Sequence, residues 1–96
     1  MTYTLVHNEP RKCFEYHIDG LVPRIEYIQT KDEIYLTHTE VPVVLEGQGI
    51  GASLVGEVLS EIETYNKALI PLCPFVAAYI RRHPEWKRLL KKGINI

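Results

Sequence analysis

The residues best suited to chemistry lie in the middle of the chain. The first group is a cluster of glycines, Glu46-Gly47-Gln48-Gly49-Ile50-Gly51, between an apolar strand-like stretch and a long amphipathic run. Glycine permits φ > 0 and lets a ligand approach the main chain closely. A helix that begins here offers several unpaired N–H groups and the positive end of its dipole. Helices usually supply their own cap and an early carboxylate. Here Gly49, Ile50, Gly51, Ala52 and Ser53 provide no acid, and Glu57, Glu61 and Glu63 come later. The spacing therefore leaves the first turn open to an outside anion, with plain strand-to-helix packing as the alternative.

The turn is not a nucleotide P-loop, because no Lys-Ser or Lys-Thr follows its glycines. A dinucleotide fold would place such a turn after the first strand of a βαβ unit, whereas this one follows a series of strand-like segments. A helix dipole contributes about 0.3–2 kcal/mol, while a micromolar ligand needs about −8 kcal/mol. The balance must come from several N–H bonds and from the rest of the ligand. A pyrophosphate with a long amide-bearing arm fits, since its amides can pair with the strand end near Val41, where Pro42 stops normal pairing.

Three further groups complete the set. Cys73 precedes Pro74 at a strand-to-helix junction, with Cys73 at the cap and Pro74 as first helical residue. A helix N-terminus favours the thiolate, so Cys73 is either a nucleophile or a small core residue. His38 and Glu40 share one face of a strand. Either could act as a general base directly or through water, against a structural role for a lone strand histidine. Arg81 and Arg82 follow on the helix after Cys73, and one could take a phosphate in bidentate fashion. His38 with Glu40 is not a metal signature, and no closing ligand set is visible. Cys13 lies mid-strand and reads as structural.

The elements that must position these groups change period halfway along. Residues 4–7, 11–18, 24–30 and 34–41 read as strands, separated by Asn8-Glu9-Pro10, Asp19-Gly20 and Lys31-Asp32-Glu33. They suit an antiparallel meander. Ile50, Leu54, Val55, Val58, Leu59, Ile62 and Tyr65 then recur at helical spacing, predicting a helix over 49–66. Residues 68–72 form a short buried strand. A helix follows from Pro74, with Phe75, Val76, Tyr79, Ile80 and His83 on one side, and Pro84 opens a last helix to residue 90 that Gly93 stops. The order predicts an α+β sheet with helices packed on it.

Composition sets the class. Ninety-six residues suffice for one domain spanning 1–96 and not for two. A net charge of −1 argues against a general nucleic-acid binder. The charge is uneven: Arg81, Arg82, Lys87, Arg88, Lys91 and Lys92 against Glu85 alone give a local +5 and leave −6 elsewhere. That stretch is either a solvated helix surface or an anion-facing patch. Two cysteines make no disulfide framework. Met1-Thr2-Tyr3 starts directly into a strand-like pattern with no basic leader or apolar signal, and no membrane span is present, so a cytoplasmic setting is expected.

On these residues the chain resembles the GNAT superfamily, the Gcn5-related N-acetyltransferases. That superfamily's signature is Gln or Arg, two residues, Gly, one residue, then Gly or Ala. The segment from Glu46 to Gly51 matches its glycines and departs at Glu46. Cys73-Pro74-Phe75-Val76-Ala77-Ala78-Tyr79-Ile80 with His83-Pro84-Glu85-Trp86 resembles a minimal subgroup, as does His38-Thr39-Glu40-Val41-Pro42. The likeness covers nearly the whole chain. It implies a minimal GNAT-like fold, mainly an antiparallel sheet of about five strands with three helices. Asn8-Glu9-Pro10 leaves no room for the helices that larger members carry between the first two strands, so the acceptor side is expected to be open, shallow or completed by a partner chain.

The resemblance implies acetyl-CoA as acyl donor and a primary amine as acceptor: a protein lysine, an N-terminus or a small amine. Its phosphates would rest on Gly47, Gln48, Gly49, Ile50, Gly51 and Ala52. The pantetheine would lie along Val41, Pro42 and Val43, with Cys73, Phe75, Tyr79 and Arg82 on the cofactor side. Tyr79 is the match for a tyrosine that protonates the departing thiolate, and Cys73 for a cysteine near the cofactor thiol. A non-catalytic sensor of CoA or acyl-CoA is the alternative, and a protein-interaction domain using the basic patch is a third reading. The chain is expected to be a monomer or weak dimer.

Overall fold

The computed structural model describes residues 3–96, so the strand-like start at Met1 and Thr2 lies outside the described residues. A five-stranded sheet runs in chain order: β1 (Val6–Asn8), β2 (Cys13–Glu15), β3 (Arg24–Gln29), β4 (Glu33–Glu40) and β5 (Ala68–Pro71). The first four strands are antiparallel neighbours, and β5 joins β4 in parallel after the crossover helix α1 (Ile50–Glu63). Helix α2 (Pro74–Arg82) follows. The third helical segment, Pro84–Leu89, is a 3-10 helix, and a short 3-10 turn, Val43–Leu45, precedes the glycines. This is a small α+β fold, as expected, with a mainly antiparallel sheet that β5 makes mixed.

The core lies between the sheet and α1. Phe14, Ile25, Tyr27, Ile34 and Leu36 face Leu54, Val55, Val58, Leu59 and Ile62, all buried in one cluster. Each large aliphatic side chain removed from water contributes about 1.5–3 kcal/mol. A missing N-cap costs only about 1 kcal/mol, so the apolar face of α1 holds the helix whether or not its first turn is capped.

Several boundaries differ from the expected ones. Helix α1, expected to residue 66, ends at Glu63, where Thr64 and Tyr65 close it with bonds to Glu61 and Ile62 three residues back. Strand β1 starts at Val6 rather than at residue 4, although Leu5 still packs on the core. Strand β2 shrinks to three residues, because Lys12 turns left-handed (φ 53) and closes a tight turn onto Glu9 after Pro10. The last helix ends at Leu89 and Gly93 does not stop it. Leu90 instead becomes extended and bridges Leu69, burying part of its side chain on the sheet edge. The Asp19-Gly20 turn is as expected, with both residues left-handed (φ 50 and 79) between paired Ile18 and Leu21.

Candidate functional site

The glycine turn has the conformation its residues allow. Gly47 and Gly49 sit at φ 80 and 77, and a Cβ on either would meet nothing within 4 Å. Gly49 is the N-cap of α1, with no side-chain capping bond and no acid in the first turn. The first N–H to find an intrahelical partner is that of Ser53, which donates to Gly49 O at 3.0 Å. The preceding N–H groups therefore point out of the helix without intrahelical acceptors. Gln48 turns its side chain back, donating to Val44 O at 3.3 Å.

Gly51 has a different purpose. A Cβ there would lie 2.9 Å from the Phe75 ring and 3.5 Å from Val41, so this glycine admits α2 to close contact. Gly56 does the same for Tyr79, whose hydroxyl lies 2.9 Å from where a Cβ would stand.

The open helix end faces a cavity of about 480 Å³. β4 contributes Thr39 and Glu40, the segment after it Val41 and Leu45 to Gly47, α1 and its cap Gly49 to Ala52, and α2 Phe75 and Arg82. Arg82 has no ion-pair partner among the described residues, whereas Arg88 binds Glu63 at 2.6 Å and Lys91 binds Glu33. Of the basic stretch, Arg88 and Lys91 are thus paired on the surface and Arg82 borders the cavity. Bare N–H groups with a guanidinium form a donor set that suits a diphosphate.

One edge of this cavity is made by a mismatch between two strands. β5 pairs with β4 only as far as Leu36 and Pro71, while β4 runs on to Glu40. The register between β3 and β4 slips by one residue at Glu26 and Tyr27, leaving Thr37 as the extra residue on β4. Regular alternation would send His38 and Glu40 to the same face as buried Ile34 and Leu36. The bulge reverses them. Thr39 pairs with buried Ile25 and turns toward the helices, while His38 and Glu40 lie exposed, 3.0 Å apart, opposite Glu26 and Arg24.

Cys73 stands under Thr39. It occupies the N-cap position of α2 without a side-chain capping bond. Its N–H donates to Leu36 O at 2.9 Å, and its Sγ lies 3.3 Å from Thr39 Oγ1. Only 4% of Cys73 is exposed. The expected capping role for the residue is thus met by backbone position alone, because the thiol is turned toward β4.

The structure therefore brings together Val41, Gly47, Gly49, Ile50, Gly51, Ala52, Phe75, Arg82 and Glu40 around one cavity, with Cys73 against its Thr39 wall. Pro42, Val43 and Gln48 lie outside the lining, and Val43 is 80% exposed. Tyr79 borders an adjoining shallow hollow with Ser53, Glu57 and Ser60, which shares Ala52 with the cavity, and its ring lies 4.3 Å from His83. Phe75, one turn earlier on α2, takes the cavity-facing place. Thr39 and Leu45 line the cavity without standing out in the sequence. The His-Thr-Glu-Val-Pro run quoted above contained Thr39, but only knowledge of the bulge singles it out.

Cys13 is buried and donates to the Glu15 carboxylate at 3.2 Å. Burial, with the bond and charge of Glu15, pushes its thiol up to about 11. Burial also opposes ionisation of Glu15, but the bonds from Cys13, His17 and Asn8 outweigh it and hold the carboxyl below its usual range. This sets Cys13 apart as a structural thiol.

An α+β fold whose sheet parts beside a glycine turn and an uncapped crossover helix has the layout of an acyltransferase. The profile of the GCN5-related N-acetyl-transferases matches residues 13–89, and the chain belongs to that family. Members of the family generally use acetyl-CoA, and membership gives the chain an acyl-transfer role in general terms. No curated protein matches the chain. Among the described residues no helix is long and apolar enough to cross a membrane, and no group of His, Cys, Asp or Glu could hold a metal ion.

Proposed function

We propose that this protein transfers an acetyl group from acetyl-CoA to a primary amine. The observation that carries the reading is the bare N-terminus of α1, open on a cavity that reaches Thr39, against which the buried Cys73 packs. The N–H groups of the first turn and Arg82 would hold the pyrophosphate. The β4 edge beyond Leu36, free of β5, offers backbone partners for the amides of the pantetheine arm. When bound, acetyl-CoA supplies an acyl group activated as a thioester. The amine acceptor attacks directly, and Cys73 as a first acyl acceptor is the secondary course. Of the candidate bases, Glu40 borders the cavity and carries His38 beside it. Tyr79 remains the candidate acid.

A second reading, a CoA-binding module without turnover, draws support from the exposure of His38 and Glu40 and from the place of Tyr79 outside the cavity. Native mass spectrometry with added CoA, followed by acetylation assays on lysine peptides and polyamines, separates the two. Acetylated amine supports the transferase. Bound CoA with no acetylated amine favours the sensor, and absence of CoA binding refutes both.

A further inference from the structure

We propose that Thr39 is a positioning residue for Cys73, its hydroxyl steering the sulfur and donating a hydrogen bond to it when it carries charge. The proposal rests on the secondary course of the acyl-transfer reading, in which Cys73 first takes the acyl group. Three observations converge on it. The extra residue Thr37 turns Thr39 from the solvent face of β4 to the helix face. Thr39 Oγ1 then stands 3.3 Å from Cys73 Sγ and has no other partner among the described residues, so its proton is free to point at sulfur. Thr39 also lines the cavity of about 480 Å³ while Cys73 lies behind it, so the hydroxyl is the polar group between the thiol and the groove.

The charged groups around that groove are few. β4 presents Glu40, the glycine turn Glu46 and α2 Arg82, while β5 and the first turn of α1 present none. None of these makes a bond to the sulfur, so the hydroxyl is the side-chain group in place to stabilise a thiolate there. A charged acceptor roughly doubles the strength of such a bond.

The test is alkylation of Cys73 by iodoacetamide, in which the sulfur forms a bond to the acetamide carbon and iodide leaves. The rate is followed from pH 6 to 10, with peptide mass spectrometry to separate Cys73 from Cys13. Thr39→Val keeps the shape and removes the hydroxyl, and Thr39→Ser restores it. The expected result is a rate profile displaced upward by about one pH unit in Thr39→Val, about tenfold slower labelling at neutral pH, and a Thr39→Ser profile within twofold of wild type. Unchanged rates in Thr39→Val overturn the proposal. Equal displacement in both variants also overturns it, because Ser keeps the hydroxyl and the effect would then follow any change of packing at this position. Melting curves confirm that each variant is folded. Calorimetric titration with CoA is run alongside. Loss of CoA binding in wild type refutes the proposed function, whereas an unchanged profile refutes the role of Thr39.

Discussion

Replacing Gly49 by Asp puts a carboxylate beside the bare N–H groups of α1. The residue sits at φ 77 with open space around its missing Cβ, so the side chain enters without a clash. The conformation costs an ordinary L-residue about 1–2 kcal/mol, and Asp and Asn tolerate it better than most. A carboxylate at a helix N-terminus returns about 0.3–1 kcal/mol. Fold stability therefore shifts by about 1 kcal/mol at most, or about 4–8 °C in melting temperature for a domain of this size.

Anion binding is affected far more. Two unit charges 4 Å apart repel by about 4 kcal/mol at an effective dielectric near 20, and by about 1 kcal/mol in bulk water. An intermediate value of about 2–3 kcal/mol predicts a CoA affinity about thirtyfold to 150-fold weaker. Gly49→Asn isolates the cause, since it has the same shape and the same backbone demand without the charge. Calorimetric titration of CoA into both variants should show the gap in low salt and a much smaller one at 1 M, where the Debye length is about 3 Å. Equal affinity of Asp and Asn variants would remove the pyrophosphate from the α1 terminus and with it the argument for the cavity.

Other outcomes follow from the same geometry. Arg82→Ala should weaken CoA binding about tenfold and flatten its salt dependence, with no change in melting temperature, because Arg82 has no ion pair to lose among the described residues. Cys73→Ser should leave no acyl adduct on the chain by denaturing mass spectrometry while amine acetylation persists; loss of all turnover in a folded variant would make the thiol essential. Burial keeps Cys13 neutral up to about 11 from an ordinary 9.0, and Tyr16 up to about 12 from 10.0. Their stabilising contribution is complete below pH 9 and is lost as pH rises through those values. The melting temperature should hold from pH 7 to 9 and then fall, and Cys13→Ala should remove the part of the fall that begins near pH 9. A wild-type melting temperature unchanged to pH 11 would contradict this.

Much of the frame was legible because it depends on short-range patterns. The seven apolar positions from Ile50 to Tyr65 specify one helix face, and all but Tyr65 are fully buried. Asp19-Gly20 encodes its turn through the left-handed φ that both residues accept. The open helix end could be inferred from the absence of any acid in the turn that follows Gly49. What was not legible depends on neighbours distant in sequence. The bulge at Thr37 is a relation between β3 and β4, so no local signal announces that Thr39 and not His38 turns inward. Leu90 leaves its helix for a bridge with Leu69, twenty-one positions away. The direction of Tyr79 depends on a notch at Gly56, and the glycine alone does not name its occupant.

The two aromatic rings of α2 fit those notches one turn apart. Phe75 is seated at Gly51 and Tyr79 at Gly56, so neither helix can slide along the other without unseating both rings at once. Cys73 begins the same helix that carries them. The spacing between the uncapped α1 terminus and the sulfur is therefore gauged by this toothed contact, independent of the loops that join the elements. A larger residue at either notch would retune that spacing before it disturbed the sheet beneath.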